Sequence, residues 1–238
     1  MRRLLRIVGT ALAGAGLLAV AWAFTVWQWQ DPFTALYTSH QQQSLETAYE
    51  REEAAYRPGD GALLAPTRVE TPVWIRQRNV RRAAKRYRER LATGDAVGRL
   101  RIPRLGLDAI VVEGTDNATL AKGPGRYSRS YVPGEGELIY VAGHRTTYGA
   151  PFARIDRLRE GDELTFDMPY ARFVYRVSRH VIVPADDLAR LESAGREEIA
   201  LQACHPRFFA TERYIVYARP VRVSPRGGTA YTVGRGSL

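Results

Sequence analysis

Glu198-Ile-Ala-Leu-Gln-Ala-Cys204 and Arg213-Tyr-Ile-Val-Tyr-Ala218 are the two segments of this sequence that decide its fold. Both are short apolar runs of the kind that forms β-strands, and a third such run is Leu138-Ile-Tyr-Val-Ala-Gly-His144. Each run has a chemically useful side chain at one end, namely Cys204, Arg213 and His144. In a barrel, strand ends from distant positions in the sequence can meet on one rim.

The remaining sequence predicts an all-β domain between residues 95 and 225. Strand-like segments fall at 97–103, 107–113, 137–142, 163–167, 171–183, 198–203 and 213–223. Turn signals separate them, together with a short capped helix at 116–122 and a loop with a short helix at 184–192. Many short strands with turns between them are typical of a sandwich or a closed barrel.

The N-terminal 30 residues have the pattern of a membrane anchor. Met1-Arg-Arg-Leu-Leu-Arg6 is a basic head, and the apolar run 7–27 that follows contains no charged residue. About 20 helical residues cross a hydrocarbon core of roughly 30 Å, and arginines before the run favour a cytoplasmic N-terminus. The alternative is a signal peptide cleaved after Ala21-Trp22-Ala23. We favour the uncleaved anchor because the apolar run continues past Ala23, and both interpretations place the barrel outside the cell.

Residues 31–94 are polar and basic and predict an extracellular stalk. Two helices are expected, at 32–56 and 73–91, with a break at Arg57-Pro-Gly-Asp-Gly61. The second helix carries eight basic residues and one acid, so it either lies against an anionic lipid or wall polymer or is simply solvated. The Gly-rich segment 226–238 is expected to be a flexible tail.

Charge and cysteine content narrow the possible functions. The chain has 238 residues, a net charge of +10 and a single cysteine. A basic protein can bind nucleic acid, an anionic membrane or an acidic polymer, and export makes nucleic acid an unsuitable partner. A lone exported thiol is either inert filling or a reactive group. The sequence shows no metal-ligand spacing, and we expect no cofactor and no metal.

A reactive Cys204 needs an imidazole and an oxyanion donor. Histidine can take the thiol proton and later protonate a leaving amine, and an arginine can hold the oxyanion. Of the four histidines, His40 lies in the predicted stalk and His180 lies within a strand. His205 is adjacent to the thiol, but neighbouring residues on a strand point to opposite faces. His144 is the remaining candidate. Taken alone it is equally well a hydrogen-bonded turn histidine, and its case depends on Cys204 and Arg213 together.

Three motifs together resemble the sortases. They are Leu138-Ile-Tyr-Val-Ala-Gly-His-Arg-Thr-Thr-Tyr-Gly-Ala-Pro-Phe152, Cys204-His-Pro206 and Glu212-Arg-Tyr-Ile-Val-Tyr-Ala218. The His-Arg-Thr-Thr-Tyr-Gly and Cys-His-Pro elements look like class E, the housekeeping type. The resemblance covers residues 97–223.

The resemblance implies a closed eight-stranded β-barrel with short helices on the outer face of a Gram-positive membrane. Such enzymes cut a C-terminal sorting signal between Thr and Gly, hold the Thr as a thioester and pass it to an amine of a peptidoglycan precursor. Their partners are surface proteins with sorting signals, and class E prefers Leu-Ala-x-Thr-Gly. By this resemblance Cys204 is the nucleophile, His144 the general acid and base, and Arg213 the oxyanion donor. Tyr127, Ala203 and Thr146 are candidate substrate-binding residues.

One position departs from the family pattern. Sortases usually carry threonine immediately before the cysteine, and here Ala203 takes that place, which removes a hydroxyl expected near the substrate. Two alternatives stay open. One is a pilus-polymerising sortase, which the polar Gly-rich tail disfavours, and the other is a non-catalytic wall-binding or adaptor module on the same barrel, which Ala203 and the basic stalk motivate. An L,D-transpeptidase on a different β fold is disfavoured because it leaves Arg213 unexplained.

Overall fold

The computed structural model of the protein describes residues 2–29, 32–57 and 72–234, without the side chains of 25–29 and 32. Its β-strands are β1 (Ala96–Ile102), β2 (Leu107–Glu113), β3 (Gly125–Arg126), β4 (Leu138–Ala142), β5 (Glu163–Met168), β6 (Ala171–Pro184), β7 (Glu198–His205), β8 (Glu212–Pro225) and β9 (Tyr231–Thr232). The sheet order is β6-β5-β1-β2-β3-β4-β7-β8-β9, and β6 also pairs with β8. That last pairing closes a barrel of eight strands, which confirms the predicted fold, and β9 is added at the edge of β8.

The strands that carry the candidate site are buried on both faces. Alternate residues of β4 and β7, among them Ile139, Val141, Ile199 and Leu201, fill the barrel interior together with β1, β5 and β6. The intervening residues form a second apolar cluster on the outer face: Leu138, Tyr140, Val183, Ala200, Ile215 and Tyr217. Two-sided burial explains why these segments are continuous apolar runs rather than alternating ones. The outer cluster also provides an apolar floor beside the candidate site.

Four α-helices accompany the barrel in the described residues: α1 (Arg2–Trp29), α2 (Pro32–Ala55), α3 (Val73–Arg90) and α4 (Asn117–Leu120). Short 3-10 turns lie at Pro103–Leu105, Ile155–Arg157 and Leu188–Leu191. Helices α2 and α3 confirm the two that were predicted between residues 31 and 94. Positions 58–61 of the predicted break lie outside the described residues.

Helices α2 and α3 are packed against the barrel, so the alternative in which the second helix is simply solvated is corrected for its packed face. Val80, Ala84 and Tyr87 of α3 belong to the barrel's main apolar cluster. The Tyr87 hydroxyl also donates to the Ala96 and Val97 carbonyls at 3.1 and 3.0 Å. Most basic residues of α3 are exposed, whereas Arg76 and Arg88 are partly buried and contact Tyr231 and Glu135. The many charges of this helix hid its buried face in the sequence.

The segment after residue 225 is also partly folded. Strand β9 pairs with β8 through Arg222 to Thr232 and Val223 to Tyr231. The Tyr231 side chain is buried, and the Arg76 guanidinium of α3 lies 5.7 Å from its ring centre. The expected flexible tail of 226–238 is therefore wrong for β9, because an aromatic anchor outweighs the glycines around it. Residues 235–238 lie outside the described residues.

One helix in the described part of the chain, α1, is long and apolar enough to cross a membrane. The qualifying span is Arg2–Phe24, 23 residues, and none of it is buried within the protein. A signal sequence passes the same test of length and composition.

Candidate active site

His144, Cys204 and Arg213 lie in one row across three adjacent strands. In the parallel pair β4–β7, Ala142 is level with Gln202, and the Gly143 N–H donates to the Gln202 carbonyl at 3.0 Å. His144 lies two residues beyond the end of β4, and Cys204 lies two residues beyond Gln202 on β7. In the antiparallel pair β7–β8, Cys204 is directly opposite Arg213. Since adjacent strands are about 4.8 Å apart, the three side chains converge on one rim.

The three side chains line a single cavity of about 360 Å³ on the outer face of the barrel. Its apolar floor comes from the outer-cluster residues Tyr140 of β4, Val183 of β6 and Ile215 of β8, and the segment containing the Leu188–Leu191 turn borders it. The other lining residues are Thr115, Asn117, Leu120, Tyr127, Tyr140, Ala142, Gly143, Val183, Ala185, Asp187, Leu188, Leu191, Gln202 and Ile215. The Cys204 side chain therefore opens onto a cavity that has an apolar floor.

His144 is partly buried and has a free ring nitrogen. Its Nε2 is buried and has no hydrogen-bond partner in the described residues. The ring packs on Tyr148, with centroids 5.1 Å apart and an interplanar angle of 37°. Burial lowers the pKa of His144 below its usual 6.5, because desolvation penalises the imidazolium. The imidazole is thus mainly neutral at pH 7 and can accept a proton.

Arg213 is held by its own backbone surroundings and retains unused donors. Its Nη1 donates to the Ala210 carbonyl at 2.7 Å and to the Glu212 carbonyl at 2.9 Å. Within the described residues, Nε and Nη2 make no hydrogen bond and the guanidinium pairs with no carboxylate. An anchored cation with free N–H groups beside the thiol is suited to hold a developing oxyanion.

The backbone at Cys204 is braced from the opposite side by Arg145. This buried arginine donates from Nη1 to the Cys204 carbonyl at 3.3 Å and from Nη2 to Asp156 at 2.8 Å. The same Nη1 contacts Nδ1 of His205 at 2.8 Å, and the His205 ring also lies beside Tyr214. His205 is therefore directed away from the cavity, as the strand alternation predicted.

The three candidate substrate-binding residues lie in different environments. Tyr127 lines the cavity, with its ring 6.5 Å from that of Tyr140. Ala203 is fully buried in the barrel interior, and Thr146 does not line the cavity. The expectation that Ala203 faces substrate is corrected, because Gln202 and Cys204 point outward and the residue between them must point inward.

A buried ion pair holds the Tyr127 side of the cavity. Arg126 donates to both carboxylate oxygens of Glu113 at 2.7 Å, and the two side chains are 1% and 4% exposed. The Arg126 guanidinium also donates to the carbonyls of Tyr127, Ser130 and Tyr131. Arg126 therefore fixes the loop that carries Tyr127.

Several lining residues were not identified from the sequence. Gln202 and Ile215 could have been found by counting two residues from Cys204 and Arg213 along their strands. Tyr148 contacts His144 but does not line the cavity, and it gave no such signal because this contact depends on an irregular loop. In the described residues no group of three or more His, Cys, Asp or Glu side chains could hold a metal ion.

Comparison with known proteins gives one consistent family. The sortase domain matches residues 100–221, just over half of the 238-residue chain. Sortase D of Bacillus subtilis is 38% identical over 133 residues, which cover 54% of this chain and 66% of that protein. Sortase SrtE1 of Streptomyces coelicolor is 31% identical over 96 residues, 36% of this chain and 27% of that protein. These matches thus span about two thirds and about a quarter of the two relatives.

Solved structures agree with this result. Sortase E from Streptomyces avermitilis superposes with a TM-score of 0.52 at 30% identity, covering 56% of this chain and 93% of that one. The fold is also similar to that of a Clostridium perfringens sortase D5 transpeptidase, with a TM-score of 0.60, 21% identity and coverage of 77% and 99%. The relatives carry both class D and class E names. The chain belongs to the sortase family.

Proposed function

We propose that this protein is a cysteine transpeptidase that cleaves a C-terminal sorting signal between Thr and Gly and transfers the protein to an amine of a cell-wall precursor. The row formed by His144, Cys204 and Arg213 beside an apolar cavity is the observation that carries the proposal. It combines a nucleophile, a proton carrier and an oxyanion donor at one rim.

In the first half-reaction Cys204 becomes acylated. His144, mainly neutral before substrate binds, takes the thiol proton, and the thiolate sulfur attacks the threonine carbonyl carbon. Arg213 donates N–H groups to the carbonyl oxygen as it gains negative charge. The C–N bond then breaks, His144 returns the proton to the departing glycine nitrogen, and a thioester remains on Cys204.

In the second half-reaction the thioester is resolved by an amine. The acceptor nitrogen attacks the thioester carbonyl, His144 removes a proton from that nitrogen, and Arg213 again steadies the oxyanion. The C–S bond breaks as the new amide forms, and the thiol is restored by the proton held on His144. No cofactor takes part in either step.

The cavity favours a signal whose residues before Thr are small and apolar. Its floor of Val183, Ile215 and neighbouring aliphatic residues suits a leucine, and Tyr127 offers an aromatic wall. This supports a Leu-Ala-x-Thr-Gly-like signal and the class E housekeeping role. The position of Ala203 in the core weakens one of the two reasons for a non-catalytic adaptor, the other being the basic segment before the barrel.

Helix α1 supports a membrane location for the enzyme. We propose that it is a single-pass anchor with a cytoplasmic N-terminus, since three arginines precede its apolar part. The barrel would then work outside the cell, where surface proteins and peptidoglycan precursors meet.

The test uses the full chain in detergent, because α2 and α3 pack against the barrel. Leu-Ala-x-Thr-Gly and Leu-Pro-x-Thr-Gly peptides are incubated with glycylglycine as the amine, and cleavage and transfer products are separated by mass. We expect Cys204→Ala to abolish both products, and His144→Gln and Arg213→Ala each to lower kcat/KM by about 10²-fold or more.

The matched control is His40→Gln, which replaces an exposed histidine of α2 and should leave the rate unchanged. Cleavage that persists in Cys204→Ala contradicts the proposal. So does a wild-type chain that cleaves neither peptide under conditions in which another sortase is active.

A further inference from the structure

The His144 imidazole is connected to α2 through Tyr148. The Tyr148 ring packs on the imidazole at 5.1 Å, and its backbone N–H donates to the Thr34 hydroxyl at 2.9 Å. The ring also meets that of Tyr37 edge-on, with centroids 6.5 Å apart. One residue therefore touches both the proton carrier of the site and the helix that precedes the barrel.

The loop that carries Tyr148 needs external support. Three consecutive residues, Tyr148, Gly149 and Ala150, have positive φ angles of 52°, 68° and 39°. For the two that are not glycine, such a conformation costs of order 1–3 kcal/mol each and persists only where neighbouring structure enforces it. The hydrogen bond that the Tyr148 N–H donates to the Thr34 hydroxyl is a tertiary contact, and it holds this conformation at the first of the three residues.

Helix α2 is fixed firmly enough to give that support. The Gln42 amide makes three hydrogen bonds across to the barrel side: it accepts from the Ile110 N–H at 2.7 Å and donates to the Ile110 and Lys122 carbonyls at 3.0 and 2.8 Å. The buried Thr38 hydroxyl bonds the Ala121 carbonyl at 2.8 Å, and the Tyr49 hydroxyl bonds the Asp167 carbonyl at 3.1 Å. Since successive residues of this set are four and seven positions apart, they lie on one face of α2, which is attached along most of its length.

We propose that α2 positions the catalytic histidine, with Tyr148, seated by Thr34 and Tyr37, as the positioning residue that holds the His144 ring at the Cys204 rim. The inference rests on the proposed role of His144 in proton transfer. Without the Thr34 hydroxyl, the strained loop relaxes, the Tyr148 ring leaves the imidazole, and the imidazole loses its fixed position at the rim of the cavity. Because α2 follows α1 directly in the sequence, the chain segment that leaves the anchor is also the one that orders the site.

The test compares conservative pairs in the full chain in detergent. Thr34→Val removes the hydroxyl at constant shape, whereas Thr34→Ser keeps it. Tyr148→Ala removes the ring, whereas Tyr148→Phe keeps it. Thr47→Val is the matched control, since Thr47 is an exposed α2 threonine whose hydroxyl bonds only within the helix, to the Gln43 carbonyl.

Two readouts are taken, and one does not depend on activity. Steady-state cleavage of the Leu-Ala-x-Thr-Gly peptide gives kcat and KM, and NMR of the imidazole carbons gives the His144 titration. The other titratable groups that border the cavity are Tyr127, Tyr140, Asp187, Cys204 and Arg213, with Tyr37 and Tyr148 on the α2 side.

We expect Thr34→Val and Tyr148→Ala to lower kcat about tenfold or more with KM changed less than about twofold, because misplacing a reacting group by 1 Å can cost about 10²-fold. The His144 titration should move upward toward its ordinary value as the ring becomes hydrated. Thr34→Ser, Tyr148→Phe and Thr47→Val should behave as the wild type in both readouts. Unchanged kcat and unchanged titration in Thr34→Val and Tyr148→Ala would overturn the inference.

The inference would also be overturned if Thr34→Ser and Tyr148→Phe lowered kcat as much as Thr34→Val and Tyr148→Ala do. If the wild type cleaves no peptide, the proposed function fails, and the NMR comparison of the same variants still decides whether α2 seats His144.

Discussion

Replacing Glu197 with glutamine should change how the stability of this protein depends on pH. The carboxyl group is buried, and its oxygens accept hydrogen bonds from the Gly134 and Gly136 N–H groups, both at 3.0 Å, and from the Tyr175 hydroxyl at 2.6 Å. Desolvation is the largest influence on it and raises its pKa from 4.5 to about 7, against the opposing effect of these hydrogen bonds.

The direction of the pH effect on stability follows from whether the folded or the unfolded state holds the proton on Glu197. Between pH 4.5 and about 7 the folded protein keeps the proton on Glu197, whereas the unfolded chain releases it. Rising pH therefore favours the unfolded chain, and the stability that is fully present below pH 4.5 is lost by about pH 7. At about 1.36 kcal/mol per pH unit, the loss approaches 3 kcal/mol. Glutamine cannot ionise, so E197Q removes this dependence.

The assay is urea unfolding of the full chain in detergent at several pH values from 4.5 to 8, for the wild type and E197Q. The stability of E197Q relative to the wild type should rise by up to about 3 kcal/mol across this range. Glu163→Gln is the control, because this carboxylate is half exposed and should give a difference that changes by less than about 1 kcal/mol. A constant difference for E197Q, or one that falls as pH rises, would refute the reasoning.

Three further predictions concern the helices, the core and the site. Val80→Ala should lower the free energy of unfolding in urea by roughly 2 kcal/mol, because α3 packs in the main cluster. Arg82→Ala, at an exposed position of the same helix, should change it by less than about 0.5 kcal/mol. Equal effects of the two substitutions would contradict the packing of α3. Ala203→Thr should lower the free energy of unfolding by about 1–3 kcal/mol because it overfills the interior, and KM for the peptide should not change. A changed KM at unchanged stability would indicate that residue 203 contacts the substrate. The midpoint of the acid limb of the kcat/KM profile should lie below pH 6.5, because burial lowers the pKa of His144 and the neutral imidazole is needed. A midpoint above pH 6.5 would exclude His144 as the general base.

The barrel and the ends of its longer strands were predictable because periodicity and turn residues are local signals. That His144, Cys204 and Arg213 line one cavity was likewise predictable, since Cys204 and Arg213 fall at the ends of strong apolar runs. Strands β3 and β9 were missed because each has two residues and is surrounded by glycine. Only pairing with a neighbour makes such segments strands, and the sequence does not display that pairing.

The docking of α2 was missed for a different reason. Its contact face mixes Thr38, Gln42, Leu45 and Tyr49, so no apolar stripe marks it in the sequence. The inward direction of Ala203 follows from the alternation of side chains along β7, so counting one residue back from Cys204 would have predicted it. The family pattern, which has threonine at this position, drew attention to the substrate instead. The role of Tyr148 depends on left-handed backbone angles, which no residue pattern in this loop announces.

The most direct test of the account is the intact mass of the full chain after brief mixing with a Leu-Ala-x-Thr-Gly peptide in the absence of an amine. The account predicts an added mass equal to the peptide up to and including its threonine, located on Cys204, released by hydroxylamine and absent in Cys204→Ala. Turnover of the peptide without any adduct on Cys204, or an adduct on another residue, would contradict it.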